Sequence, residues 1–496
     1  MIKYLTLLII IIFSVDVNAQ LTREMQWLIG YTDFEPNTKR GTLLDFSEDS
    51  LFVSSVPKYT PERGGHSQIC DFNGNILLYT NGCAISNKNH QLLQNGDSIT
   101  SDFLLSEYCE TLGDPLSQSV ILLTSSENTD IYYLFNYNLE ILSLDTSIYS
   151  GSVAGMPTKL YFHKVDMSDS GGKVVEKKTV VIRDTLSAGN MQAVRHANGE
   201  AWWLLVPEGL SNCYYTILVD EEGYHEPIKQ CIGHQWDFKD WAGMVTFSPN
   251  GKHYVRYDPN HGLHIFDFDR CAGQLSNPLH ITIDSVYAAG VAFSADSRFL
   301  YATTSWRVLQ FDMHAPDIAA SETLVATYDG FVAFAPTNFY MAKLAADDKI
   351  YMAGTSSSRF LHVIHHPERK GVACDVRQHS LEIPSNHVVG LPNIPHYRLG
   401  KAEESCKEVV DVDEHKSSEG VSLYPNPANE NIILQHQELQ WKIGRLYDAH
   451  GQLLRQFYPN GVEQTLIPIH DLSNGIYYLS IFSGTEKWST KFVIQH

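Results

Sequence analysis

Basic charge is scarce in this chain. Its 496 residues carry 36 Lys and Arg against 57 Asp and Glu, a formal net charge of −21. That surplus repels phosphate backbones, and no local Lys/Arg cluster offsets it, so no nucleic-acid partner is expected. Long apolar runs are missing too. The longest, Leu5–Phe13 (LTLLIIIIF), falls short of the about 20 residues that span a bilayer, so no transmembrane segment is expected. There is no CxxC, no HExxH and no GxSxG. Their absence leaves no signature of a thiolate zinc site, a zinc protease or an α/β-hydrolase serine. Asp71-Phe72-Asn73-Gly74 and Asp258-Pro259-Asn260 resemble calcium loops only in part. They lack the twelve-residue ligand pattern with its closing Glu, and turn formation explains them better.

What is present is a globular composition. Hydrophobic residues make up 43% and aromatics 11%, enough apolar surface to build a core rather than a disordered chain. The length predicts about two to three domains.

The stretch Gly243–Asp269, GMVTFSPNGKHYVRYDPNHGLHIFDFD, shows how the core is built. Met244–Phe247, His253–Tyr257 and Leu263–Phe268 are short apolar runs separated by turn residues, as in a strand meander. One such sheet cannot bury both faces alone and needs copies of itself. Related copies begin at His66, Gln118, Met191, Gly290 and Tyr340. Each is an apolar run, a polar turn, then a run ending in aromatics. Successive copies lie roughly 47 to 73 residues apart, matching propeller blades of about 40 to 50 residues with loop insertions. A β-sandwich with coincidental hairpins is the competing architecture, but sandwiches rarely repeat one signature so often. A propeller must also close. Trp27–Gly30 and Gly41–Phe46 precede the first clear copy, and IPSNHVVGLPNIPHYRLG from Ile383 follows the last. Joining the two ends in one composite blade gives about seven blades.

The flanks have their own signatures. Met1–Ala19 reads as a secretory signal, with Lys3 before the apolar run and Val17-Asn18-Ala19 as the cleavage region. Export places all eight Cys where disulfides form. Cys213 and Cys231 flank a hairpin turning at Glu221-Glu222-Gly223 and are expected to face each other. Cys83 with Cys109, and Cys374 with Cys406, are the other expected pairs, leaving Cys70 and Cys271 as thiols. Residues 401–420 are charged and lack aromatics, as a solvated linker does. Val421–His496 holds about six short strand-like runs and predicts a small immunoglobulin-like β-sandwich. The whole is therefore expected to be all-β: signal 1–19, propeller 20–400, linker 401–420 and sandwich 421–496.

Two resemblances follow from particular residues. SQICDFNGNILLYTNGCAISN, AVRHANGEAWWLLV, GLHIFDFDRCAGQLSNP and GVACDVRQHSLEIP with LPNIPHYRLG resemble the large propeller-like secreted proteins of Bacteroidota over nearly all of residues 21–400. That family brings no assigned activity. The tail resembles the type A C-terminal sorting domain of the type IX secretion system. The matching positions are Tyr424-Pro425-Asn426-Pro427, Leu446-Tyr447-Asp448 with Gly451, Leu472 with Asn474-Gly475-Ile476-Tyr477, and Lys491-Phe492-Val493. The ending Ile494-Gln495-His496 departs from the family, where a basic residue is common. This resemblance implies the type IX machinery as partner, export across the outer membrane, frequent removal of the tail and, in some cases, attachment at the cell surface.

For chemistry, His253, His261 and His264 cluster in sequence, as do His362, His365 and His366. Imidazoles at alternate strand positions share a face and can hold a metal. No carboxylate-bracketed pattern accompanies them, and strand or loop histidines are the plainer reading. Trp202-Trp203 and Trp306 can stack on sugars, but propeller aromatics mostly fill the seams between blades. No catalytic, cofactor or metal residue is assigned from sequence. The expectation is a secreted or cell-surface binding protein for a glycan or protein ligand. The alternative is a propeller hydrolase, lactonase or lyase with a metal in the central channel.

Overall fold

The first apolar run of each copy becomes the inner strand of a sheet. The computed structural model describes residues 22–402, 406 and 421–496, apart from 32–39, 49, 59, 63, 101–104, 106–107, 110–112, 126–128, 144–152, 237–241, 285–286, 437–442, 449–452, 460–463 and 484–485. The expected signal, most of the linker, and Gly451 lie outside the described residues. The chain divides into two compact units, one ending at Ser405 and one beginning at Cys406.

The first unit is a seven-bladed propeller, one antiparallel sheet per blade. Its inner strands are Gln26–Ile29, Ser67–Cys70, Val120–Thr124, Gln192–Arg195, Met244–Phe247, Gly290–Phe293 and Ala342–Leu344. All but the last are buried at every residue, and Ala342–Leu344 exposes only Lys343 in part. Burial then falls outward through each sheet. In the fifth blade Met244–Phe247 is wholly buried, while the outermost strand Gln274–Ile281 is mostly exposed. A sheet covered at its first strand and bare at its last is one strand deep in a ring and faces water at the rim. Between blades the inner strands press together closely. A Cβ on Gly290 would meet the Tyr340 carbonyl oxygen at 2.0 Å, so only glycine fits there.

Among the described residues the ring does not close by a composite blade: the sheet of the first blade is Gln26–Ile29, Arg40–Asp45 and Phe52–Pro57. The outer strand of the last blade, Val376–His387, lies against it instead. Tyr31 bridges to Asn386, and Thr42 Oγ1 meets Ser385 Oγ at 2.7 Å. Trp27 and Phe46 of the first blade pack edge to face with Tyr351 of the last, at centroid distances of 5.8 and 5.5 Å. Aromatic packing thus seals the seam that strand exchange was expected to seal.

Two expected disulfides form. Cys83–Cys109 has a Cα separation of 5.6 Å, and Cys213–Cys231 spans the Glu221–Gly223 hairpin in register. The expected Cys374–Cys406 bond does not form. Cys374 keeps a free, buried thiol because its turn, Gly371–Cys374, points it into the core of the last two blades. Cys271, expected to be a thiol, is in disulfide linkage, as is Cys406. Cys70 is free and buried, its thiol pushed up to about 12 by burial.

The second unit is a β-sandwich. One sheet joins Val421–Tyr424, Asn431–His436 and Gln464–Pro468; the other joins Ile443–Tyr447, Leu453–Phe457, Gly475–Ser483 and Glu486–Ile494. Ile432, Leu434, Leu446, Ile467, Leu479 and Phe492 fill the space between them.

Candidate functional site: the propeller channel and its mouth

Propellers that bind or turn over small molecules commonly do so at the central channel, where loops from several blades converge. Here the chain's own exit segment occupies the channel. After Val376–His387 the backbone turns at Val389, whose φ of +61° is unusual for a β-branched residue. Surroundings must hold such a conformation in place. Gly390 follows, so near the second blade that a Cβ there would meet the Gly64 carbonyl oxygen at 2.1 Å. Residues 391–395 are buried throughout.

Asn393 anchors the segment. Its Nδ2 donates to the carbonyls of Val120 and Met191, each at 3.0 Å, and its Oδ1 accepts from Gln192 Nε2 at 3.0 Å. Its backbone N–H donates to the His66 carbonyl at 2.8 Å, and its carbonyl accepts from Ser67 Oγ at 2.7 Å. One residue thereby ties together the inner strands of the second, third and fourth blades. Lys343 Nζ from the last blade donates to the Ile394 carbonyl at 2.8 Å. Burial pulls that ammonium down to about 8. Tyr397 donates to the Leu122 carbonyl at 3.1 Å and packs edge to face on Trp202. The cavity left beside Ile394 and His396 is about 10 Å³, room for about one water. At the end where the inner strands begin, Gln118 makes a paired contact with the backbone of Val245, at 2.8 and 2.9 Å.

Polar groups are buried where the segment enters. Lys58 pairs with Glu62 at 2.8 Å and donates to the Gly30 carbonyl at 2.6 Å. Burial raises the Glu62 carboxyl to about 7 and opposes the effect of Lys58. It lowers His66 to about 3 and His387 to about 4. Asp114 is raised to about 7, again by burial. These groups sit at the junction of the first two blades and the exit segment, and the neutral imidazoles hold backbone carbonyls there: His66 that of Gly64 and His387 that of Gly390.

The segment leaves at the opposite mouth, among hairpin turns the repeats share. In the turns at Asp71, Asn198, Asn250 and Asp296 a side-chain oxygen accepts backbone N–H groups two to four residues on. Asp71-Phe72-Asn73-Gly74 is therefore a turn, its carboxylate Oδ1 accepting the amides of Asn73 and Asn75. Asp258 likewise caps the amides of Asn260 and His261. Between the fifth, sixth and seventh blades the mouth opens into a half-open pocket of about 280 Å³. Asn250, Asp296, Ser297 and His396 are among its polar lining, and Leu344 and Leu399 among its apolar lining.

The sequence-adjacent histidines separate. His253 pairs with Asp267 at 3.0 Å, while His261 and His264 lie on Trp236, at centroid distances of 4.3 and 5.0 Å. Sequence spacing missed the other members of this stack. His280 lies 4.5 Å from His264, and His234 lies 4.9 Å from His280. The rings are stacked face to face and do not converge on a point. His362 is buried, bonded to the Asn338 carbonyl, and His365 and His366 sit at the end of its strand. Among the described residues no group of three His, Cys, Asp or Glu is disposed to hold a metal. Trp202 and Trp203 are buried, and their indole N–H groups donate to the carbonyls of Thr124 and Arg270, each from a neighbouring blade. Trp306 packs on Tyr328.

In the sandwich, the motif residues fasten the last strand. Asn426 Oδ1 accepts the Val493 N–H at 2.9 Å, and Asn474 Oδ1 accepts the His496 N–H at 2.7 Å. Tyr477 donates to the Ser473 carbonyl at 2.8 Å, and Gly475 pairs with Ile494. Lys491 pairs in register with Tyr478. Pro425 and Pro427 both follow cis peptide bonds, and Tyr424 is partly exposed. Asp448 closes the strand Ile443–Tyr447.

Residues 422–495 match the family described as a secretion system C-terminal sorting domain. No curated protein matches the chain. Among solved structures, a putative 6-phosphogluconolactonase from Bacteroides fragilis is similar at 10% identity, over 75% of this chain and 97% of that one, with a TM-score of 0.43. A Lactobacillus plantarum protein is similar at 12% identity over 75% and 97%, with a TM-score of 0.40. The Cps50 (Swd1) β-propeller domain of Myceliophteria thermophila is similar at 10% identity over 64% and 87%, with a TM-score of 0.37. At these scores the likenesses carry no argument about activity. The sorting tail does: it indicates export by type IX secretion to the cell surface or the extracellular space. No described helix is long and apolar enough to cross a membrane.

Proposed function

We propose that this chain is a binding protein of Bacteroidota that works outside the cell and takes a glycan or protein ligand on the loop face of its propeller. Residues 1–19 act as a leader, 20–400 as the binding domain, 401–420 as a tether and 421–496 as the address read by the type IX machinery. The observation that carries the reading is the occupied channel. A hydrolase, lactonase or lyase with a metal on the propeller axis needs space that Leu391–Tyr397 fills. Ligand recognition is left to the mouth and rim, where the repeated turns present polar groups to solvent.

Two experiments test this. Deleting residues 421–496 is expected to strand the propeller in the periplasm, and surface display of the truncated chain would refute the export reading. A glycan and peptide array probed with the propeller is expected to give a ligand without turnover. Stoichiometric metal with hydrolysis of a lactone or glycoside panel would establish the enzyme instead.

A further inference from the structure

We propose that the pocket at the channel mouth binds a single neutral saccharide ring, an inference that rests on the surface-binding reading above and names its ligand class. A volume of about 280 Å³ lies at the lower bound of ligand pockets, which suits one ring rather than a chain. The wall is built by turns whose own needs are already met. Asn250 uses Oδ1 for Ser248 Oγ at 2.7 Å and the Lys252 N–H at 3.0 Å, which leaves its amide Nδ2 as a donor. Asp296 uses Oδ1 for Ser294 Oγ at 2.5 Å and the Arg298 N–H at 3.1 Å, which leaves Oδ2 as an acceptor. Ser297 Oγ accepts the Asn250 N–H at 3.0 Å and keeps its own proton to donate. His396 donates from Nε2 to the Phe247 carbonyl at 3.2 Å, and burial holds the ring neutral, so Nδ1 accepts.

The pocket therefore offers two donors and two acceptors beside the aliphatic faces of Leu344 and Leu399. Hydroxyl groups both donate and accept, so adjacent hydroxyls on an apolar ring complement this pattern. Charge narrows the class. The Arg398 guanidinium at the edge is engaged by Glu24 at 2.7 Å, Asp348 at 2.6 Å and the Ala345 carbonyl at 3.1 Å. Asp296 is then the charged group facing the ligand, and it repels phosphorylated and acidic sugars.

The test uses the full chain without its leader. Titration calorimetry and saturation-transfer NMR are run with methyl α-glucoside, α-galactoside and α-mannoside, with glucose 6-phosphate and glucuronate as anionic counterparts. At least one neutral glycoside should bind and the two anions should not. Asp296→Asn and Asn250→Asp each preserve the turn-holding Oδ1 and change only the atom facing the ligand. Each should weaken binding about tenfold or more, the weight of a hydrogen bond to a charged or buried group. Asp71→Asn, in the equivalent turn of the second blade, should leave it unchanged. A glycan array separates the sources: retention on immobilised glycans, lost in Asp296→Asn, identifies a chain end, and binding confined to free glycosides identifies a soluble sugar. Failure of all three neutral glycosides, equal binding of the anions, or indifference to both variants overturns the pocket assignment. If arrayed glycans or peptides still bind in those cases, the surface-binding reading stands; if the wild-type chain binds nothing, both fall.

Discussion

Replacing Asn393 with Ala probes the channel at its most connected point. The substitution removes three side-chain hydrogen bonds, to Val120, Met191 and Gln192, from a residue 2% exposed. A buried hydrogen bond contributes on the order of 1 kcal/mol net, and groups left without partners cost about 1–3 kcal/mol each. The cavity beside the segment, about 10 Å³, has room for about one water to replace them. The expected loss is therefore about 3–5 kcal/mol, a large part of the about 5–15 kcal/mol that stabilises a typical domain. Urea unfolding of the wild type and Asn393→Ala, with exposed Asn89→Ala as a surface control, measures it. The control should stay within about 0.5 kcal/mol of wild type. A loss below about 1 kcal/mol for Asn393→Ala would refute the reasoning, because it would mean that the segment contributes little to holding the inner strands together.

Other consequences are equally direct. Asp114 has a folded-state pKa raised from 3.8 to about 7, so its stabilising neutral form is fully present below about pH 4 and is lost as pH rises through 7. Asp114→Asn should match wild type near pH 4 and be more stable by a few kcal/mol at pH 8, and parallel stability curves would contradict this. The channel histidines act in the opposite sense. His66, His387 and His396 are depressed to about 3, 4 and 3, so their contribution is present above about pH 6.5 and lost as pH falls toward 3. His396→Gln should flatten the acid limb of the stability profile. Cys70 and Cys374 should resist a thiol reagent in the native protein and react after unfolding, and labelling of native Cys374 would show its turn to be misplaced.

The blade repeats were legible because each inner strand must be apolar on both faces and must end in a turn. Those constraints mark the sequence at His66, Gln118, Met191, Gly243, Gly290 and Tyr340, each within a few residues of an inner strand. The exit segment was misread for a related reason. VVGLPNIPHYRLG is apolar and extended, and a chain buried in a channel has the composition of a buried strand. Its two prolines were the available signal, since a ladder strand tolerates them poorly and a plug does not need their N–H groups. The histidine stack was half visible. His261 and His264 are neighbours in sequence, but His234 and His280 reach them only through blade packing. Cys213–Cys231 was readable from hairpin symmetry, a local property. The fate of Cys374 depended on which way a short turn faces, which spacing does not encode. The mouth pocket was invisible, because it is made of turns from two blades, the end of the inner strand of a third and the end of the exit segment.

The occupied channel is tested most directly by hydrogen exchange of the peptide covering Val388–Arg398 in the intact protein. Its amides are predicted to exchange only with global unfolding of the propeller, together with those of the inner strands they pack against. Exchange within seconds, at the rate of an exposed loop, would contradict the account and reopen the channel as a place for chemistry.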